Sequence, residues 1–291
     1  MLNINSNYAA SFASNAAKAS SQGLNSAMEK LSTGMRINYA KDDAAGQAIS
    51  TRLSAEVQGL QMASRNAADA QSMIDTAEGA LQETHNVLLR MRELAVQSAN
   101  GTLTDGDRAH TDAEFDQLVA EITRIADNTT WAGKSLLDGS VDGTTTATSA
   151  LSFQVGEGAN QTISVEIASM KASALGASGA ASAPTTVALS ASSLTNSANA
   201  QAAIASIDVA ISSVSTARGG MGAVSNRLSS TMSNLDQIAV NLSASQGRIQ
   251  DADFAQETGN LAKNQILQQA ATAMIAQANA SKSSVLTLVR G

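Results

Sequence analysis

The 291 residues carry 25 acidic and 18 basic side chains, a formal charge of −7, with no run of Lys or Arg. That balance argues against a nucleic-acid binder, which needs a basic footprint, and the absence of cysteine excludes disulfides and thiolate metal sites. With 43% hydrophobic but only 2% aromatic residues, the chain has apolar surface for a core and few bulky side chains to fill a round one. No 18-residue apolar run stands out as a membrane span. The start, Met1-Leu-Asn-Ile-Asn-Ser-Asn-Tyr8, lacks the basic and apolar regions of a secretory signal, so export would use another route.

Residues 1 to about 30 read as a weakly amphipathic helix. Asn5 to Asn7 offer an N-cap, and Tyr8, Phe12, Ala16, Ala19, Leu24, Met28 and Leu31 form a loose apolar side. Ala and Ser dominate, so packing alone cannot offset the ordering entropy and the segment needs a partner. Next comes Leu31-Ser-Thr-Gly-Met-Arg-Ile-Asn-Tyr-Ala-Lys-Asp-Asp-Ala-Ala-Gly-Gln-Ala-Ile-Ser50. Gly34 and Asn38 stop one helix, and Asp42 and Asp43 place acid where the dipole of the next favours it. This run resembles the N-terminal signature of bacterial flagellins over about twenty consecutive positions. In that family it is the spoke between the terminal domain and the coiled-coil domain.

From Leu53 to Ser98 a three-four apolar step runs through Leu60, Ala67, Ala70, Ile74, Ala77, Leu81, Leu88, Met91 and Ala95. It predicts a helix of roughly 45 residues, about 70 Å long, whose narrow Ala-rich seam needs partner helices of similar length. Asn100-Gly101 supplies a left-handed C-cap. The block Arg90-Met-Arg-Glu-Leu-Ala-Val-Gln-Ser-Ala-Asn-Gly-Thr102 is again similar to flagellin. The resemblance implies that Arg90, Leu94 and Glu114 carry the contact read by the vertebrate innate receptor Toll-like receptor five. On the residues alone, Arg90 and Glu114 are surface charges and Leu94 is packing.

Thr104-Asp-Gly-Asp107 opens a second helix to about Asn128, with Phe115, Leu118, Val119, Ile122 and Ile125 on one face, folding back antiparallel across a short connection. The turn-rich Thr129–Gly139 segment resembles a flagellin block in which Phe-Asn is commoner than Trp131-Ala132. Leu151–Val155 and Thr162–Ile167 alternate about Gly156–Asn160 and read as a β-hairpin. No charge appears between Lys171 and Asp208, a low-complexity stretch expected to be exposed or loosely folded. Ile204, Ile207, Ile211, Val214, Ala217, Met221, Val224, Leu228, Leu235, Ile238 and Leu242 restore a coiled-coil stripe, weakened at Gly219-Gly220. Finally, Arg248-Ile-Gln-Asp-Ala-Asp-Phe254 and Val285–Arg290 are similar to the flagellin C-terminal block.

The expected fold is mainly α: long antiparallel coiled-coil helices, paired terminal helices and a small β-hairpin insert. The expected domains are 1–44 with 248–291 (terminal helices), 45–139 with 200–247 (coiled-coil core) and 140–199 (surface insert). Chemistry leaves no trace: His85 and His110 lack companions at metal spacing, and the Asp pairs sit at helix starts. No cofactor, catalytic group or metal is expected. The resemblance implies a filament subunit, extracellular and exported through the flagellar type III channel without a cleaved signal. Arg36, Asn38, Asp42, Asp43, Arg248, Asp251 and Asp253 would form the spoke. Its partners would be copies of itself and other flagellins, hook-associated junction proteins, the filament cap and a C-terminal export chaperone, with no nucleic acid and no membrane insertion. A coiled-coil signalling hairpin is the competing class, since Ala/Gln/Ser-rich antiparallel helices look alike by composition. An extracellular hydrolase stands third.

Overall fold

A computed structural model describes residues 6–140, 148–176 and 187–290, with side chains described for 6–140, 150–176 and 187–283. Its helices are α1 (Tyr8–Thr33), α2 (Ala44–Ser98), α3 (Asp105–Asn128), α4 (Ser197–Gln250) and α5 (Phe254–Arg290). Strands are short: β1 (Thr130–Trp131) pairs with β2 (Lys134–Ser135), and β3 (Thr148–Gln154) with β4 (Thr162–Ala168), both antiparallel. The fold is mainly α, with long coiled-coil helices and one small hairpin. The described chain divides into two compact units, one reaching to Val57 and resuming at Val240, the other Gln58–Ala239.

In the Gln58–Ala239 unit the seam of α2 is almost dry: Ala67, Ala70, Ile74, Ala77, Leu81, Leu88, Met91 and Ala95 are fully buried. They face a matching seam on α4 built from Ala200, Ala203, Ile207, Ala210, Val214, Met221 and Leu228. Cross-helix contacts fix the antiparallel register. Arg92 Nε donates to Asp208 Oδ1 at 2.7 Å, Gln71 Nε2 to Ser225 Oγ at 2.6 Å and Ser64 Oγ to Asp236 Oδ1 at 3.2 Å. Partner numbers rise on α4 as they fall on α2. Alanine at the first turns of α4 allows close approach, while each buried Leu or Ile contributes about 1.5–3 kcal/mol. Ile238, expected on the stripe, is 37% exposed. One 18-residue window of α4 reaches a mean hydropathy of 1.2, so by length and composition this helix could cross a bilayer, contrary to expectation from the sequence. A third of that window is buried, as expected for a helix packed along one seam.

α2 does not end on a left-handed glycine. Gly101 lies outside the positive-φ region, and the last carbonyls are held instead by Arg108 from α3, which is 7% exposed. Its Nε donates to Ser98 O and its Nη2 to Asn100 O, both at 3.0 Å, and its Nη1 reaches Asp105 Oδ1 at 3.1 Å. A buried guanidinium thus supplies the donors that a Schellman turn would have provided.

α3 starts on a full capping box: Asp107 N donates to Thr104 Oγ1 and Thr104 N to Asp107 Oδ2. The Thr104 hydroxyl and amide donate to the Asp107 carboxylate and hold its pKa below the ordinary value. A depressed folded pKa makes this stabilisation fully present above the unfolded pKa of about 3.9, and lost as pH falls through the folded value. The thermal-stability gap between wild type and Asp107→Asn should therefore be constant above about pH 4 and shrink as pH falls below it. A gap unchanged by acid would show that the box contributes nothing through its charge.

Between β1 and β2 the two turn residues Ala132 (φ 49) and Gly133 (φ 81) are both left-handed. Alanine pays a steric cost there that Asn or Gly does not. Ala132→Asn should raise stability by about 1 kcal/mol, read from the urea midpoint at unchanged slope. The flanks of the low-complexity stretch are packed, not loose, against expectation. Ala172, Leu175, Leu189 and Leu194 are buried, and Leu189 N donates to Leu175 O. At Gly176 (φ +85) a Cβ would meet Val187 O, Leu189 N and Ser206 O at 3.1–3.2 Å, so only glycine allows this crossing. Residues 177–186 of that stretch lie outside the described residues.

Candidate functional site

The site residues fall into two groups, one in each unit. In the unit that contains both chain ends, α1 closes on Gly34 (φ 72), whose N–H donates to Lys30 O. The chain then runs extended beside the turn that follows α4. Arg36 N donates to Gln250 O at 2.7 Å, Ala252 N to Gly34 O at 2.9 Å, and Met35 forms an antiparallel bridge with Asp251. Arg36 Nη2 donates to Ile249 O at 2.8 Å and lies 3.7 Å from Asp43 Oδ2. Arg36 therefore binds the C-terminal segment through backbone, where a carboxylate partner is not required.

The acidic residues act locally. Asp42 Oδ2 accepts from Asn38 N and Tyr39 N at 3.2 and 3.0 Å, and Asn38 Nδ2 donates to Met35 O. Asp43 Oδ1 accepts from Gly46 N at 2.8 Å and so caps α2. A Cβ at Gly46 would lie 2.5 Å from Asp43 Oδ2 and 2.7 Å from Ile37 Cδ1, and Ile37 is fully buried. On the other strand Asp253 Oδ1 accepts from Ala255 N and Gln256 N and caps α5. Asp251 opposes Met35, and Arg248 donates to its helix neighbour Ser245. Arg36, Asp43 and Asp251 thus meet around the joint between chain ends, while Arg248 stands apart from it.

Four contacts in this unit gave no signal in the sequence. Gln250 accepts from Ser50 Oγ at 2.8 Å and donates to Met35 Sδ at 3.0 Å, linking α2, α4 and the extended segment. Lys30 and Glu257 pair at 3.4 Å with side chains 25% and 11% exposed. Asn7, the N-cap of α1, donates Nδ2 to Ala278 O on α5 at 3.3 Å. These contacts join residues more than 190 apart in the chain, beyond the reach of local pattern.

What holds α1 to α5 is small: Ala13, Ser20 and Ala27 on one helix and Ala271 on the other are buried. Among the described residues several of their large apolar side chains point outward. Tyr8 is 73% exposed, Phe12 75%, Phe254 68%, Ile266 66% and Met274 61%. A pair this thin, with its aromatic residues in water, has unspent apolar surface on most of its circumference.

In the other unit Arg90 Nε and Nη2 donate to Glu114 Oε1 at 3.0 and 2.8 Å, and Nη1 to Glu93 Oε2 at 3.0 Å. Hydrogen bonding to Glu114, then Glu93, raises the Arg90 pKa further, so the guanidinium is charged at any physiological pH. Leu94, grouped with them in the sequence, is 2% exposed and belongs to the core. Among the described residues no group of three His, Cys, Asp or Glu side chains could hold a metal ion.

Comparison with known proteins places this geometry. The profile for the bacterial flagellin N-terminal helical region matches residues 4–142, and that for the C-terminal helical region matches 204–289. A flagellin of Halalkalibacterium halodurans is 45% identical over 91% of each chain. A flagellin of Bacillus subtilis is 43% identical over 99% of this chain and 100% of its own. The flagellar filament 33 kDa core protein of Treponema phagedenis is 40% identical over 99% of both. The chain belongs to the bacterial flagellin family, structural subunits of the extracellular flagellar filament and not enzymes.

Proposed function

We propose that this chain assembles by pairing its two ends, and that those ends become fully ordered only among neighbouring copies in the filament. The observation that carries this reading is the outward-facing apolar surface of α1 and α5. In a lone subunit two Ala-lined helices bury too little to offset the entropy of fixing them. Neighbours would cover Tyr8, Phe12, Phe254 and Ile266 and supply the missing area. On this reading 1–44 with 248–291 form the inner layer, 45–139 with 200–247 the coiled-coil layer and 140–199 the surface insert. Weakly ordered ends also suit passage through the narrow type III export channel without a cleaved signal, where a finished tertiary structure would not fit.

The same exposed end surfaces would serve hook-associated junction proteins, the filament cap and a chaperone that shields the C-terminal helix before export. A Toll-like receptor five would meet Arg90 and Glu114 as an exposed ion pair, with Leu94 supporting the surface from below.

Amide exchange tests the proposal. In dilute monomer the amides of α1 and α5 should exchange within the fast fraction while the α2–α4 seam stays protected. In seeded filaments both ends should become protected. Ends already protected in dilute monomer would overturn the reading.

A further inference from the structure

We infer that the folded chain promotes its own covalent modification at Asn100, converting it to aspartate and isoaspartate through attack by the backbone nitrogen of Gly101. Asn100-Gly101 is the only Asn-Gly pair in the sequence, and asparagine is a thermolabile residue. Glycine has no side chain to shield the attacking nitrogen. Both residues are exposed, and a Cβ at Gly101 would meet nothing within 4 Å, so a five-membered ring has room to form.

Two contacts polarise the reacting groups. Thr102 N donates to Asn100 Oδ1 at 3.2 Å. It draws electron density from Cγ and sits where the oxyanion of the tetrahedral intermediate develops. Arg108 Nη2 donates to Asn100 O at 3.0 Å. That carbonyl and the Gly101 nitrogen share one peptide group, so the cation makes the N–H that must ionise more acidic. Arg108 is buried and tied to Ser98 O and Asp105, so its charge is already in place and need not reorganise.

The balance is simple. Gly101 N gives its proton to solvent and bonds to Asn100 Cγ. The Cγ–Nδ2 bond breaks, and the nitrogen takes a proton and leaves as ammonia. Water then opens the succinimide. Attack at Cγ gives aspartate, and attack at the main-chain carbonyl carbon gives isoaspartate, with the backbone routed through Cβ and Cγ. One water is consumed and one ammonia released, with no oxidant or cofactor. In the isoaspartate form the oxygen that Arg108 held is part of a free carboxylate, so the clamp on the end of α2 is remade around a displaced chain.

The full-length chain is incubated at mildly alkaline pH, folded and in concentrated urea, and each asparagine is followed by peptide mapping with enzymatic labelling of isoaspartate. Folded protein should modify Asn100 at least about tenfold faster than its other asparagines, and several-fold faster than the same site in urea, a modest share of what a buried oxyanion donor supplies. Gly101→Ala should suppress the reaction, and Arg108→Lys, checked for helicity, should bring the folded rate down to the urea rate. A folded rate equal to or below the urea rate would overturn the inference, whatever Arg108→Lys does to folding.

Discussion

Alanine at Phe115 should lower the unfolding free energy of the Gln58–Ala239 unit by about 3–5 kcal/mol. Phe115 is fully buried, with 0% of its surface in water. The chain has only 4 phenylalanines, and Phe12 and Phe254 are 75% and 68% exposed. Among the described residues Phe115 is therefore the one fully buried aromatic, in a core otherwise made of Leu, Ile, Val, Met and many Ala, with Trp131 and Phe153 packed partly buried against it. Where the surrounding seams already approach closely through alanine, little remains that can relax into the space, which places the loss toward the upper end of the range. Trp131 is the sole tryptophan and packs partly buried against the same core, so its fluorescence reports unfolding of this unit separately from the chain ends. Phe12→Ala is the control. Its change should stay within about 0.5 kcal/mol in monomer, because that ring is already in water. A Phe115→Ala loss no larger than the control's would mean that the core can close over the gap.

The contrast between Phe115 and Phe12 also shows what a sequence can reveal. The stripes of α2 and α4 were legible because a repeat of three and four is imposed by helix geometry, and alternation made the β3–β4 hairpin legible by the same logic. Leu175, Leu189 and Leu194 were not, because three isolated leucines in a neutral Ser/Ala background have no period, and their burial depends on the crossing that Gly176 allows. The end of α2 was misread for a related reason. Asn-Gly is a local stop signal, but the carbonyls there are satisfied by Arg108, a side chain from the next helix. In the joint between chain ends, the resemblance named Arg36, Asp43 and Asp251 but passed over Gln250, Ser50 and Met35, whose contacts exist only once both ends meet. Leu94, by contrast, was legible: read on the residues alone as packing, it is 2% exposed, and only the resemblance had grouped it with the surface charges Arg90 and Glu114.

Removal of residues 1–57 and 240–291 together should abolish polymerisation while leaving a soluble helical monomer. The retained unit keeps the fully buried part of the α2–α4 seam, Phe115, Ile122, the hairpin and the packed leucines, so its stability should fall little. The removed part carries few buried large side chains, chiefly Ile37 and Leu53, and most of the exposed large ones. If assembly is driven by covering that exposed surface, the fragment should show no growth on filament seeds at a hundred times the concentration at which the full chain grows. That ratio corresponds to at least about 2.7 kcal/mol of lost subunit addition energy. Cutting instead at 45–247 retains Ser50 and Gln246 but discards Arg36, Met35 and Gln250, and so tests the joint itself. Both fragments should fail alike, because the half-joint left in the longer one has nothing to close on. Growth by the longer fragment alone would move the driving contact from α1 and α5 to the 45–57 and 240–247 segments. Growth by both would place it within the Gln58–Ala239 unit and remove the chain ends from the mechanism.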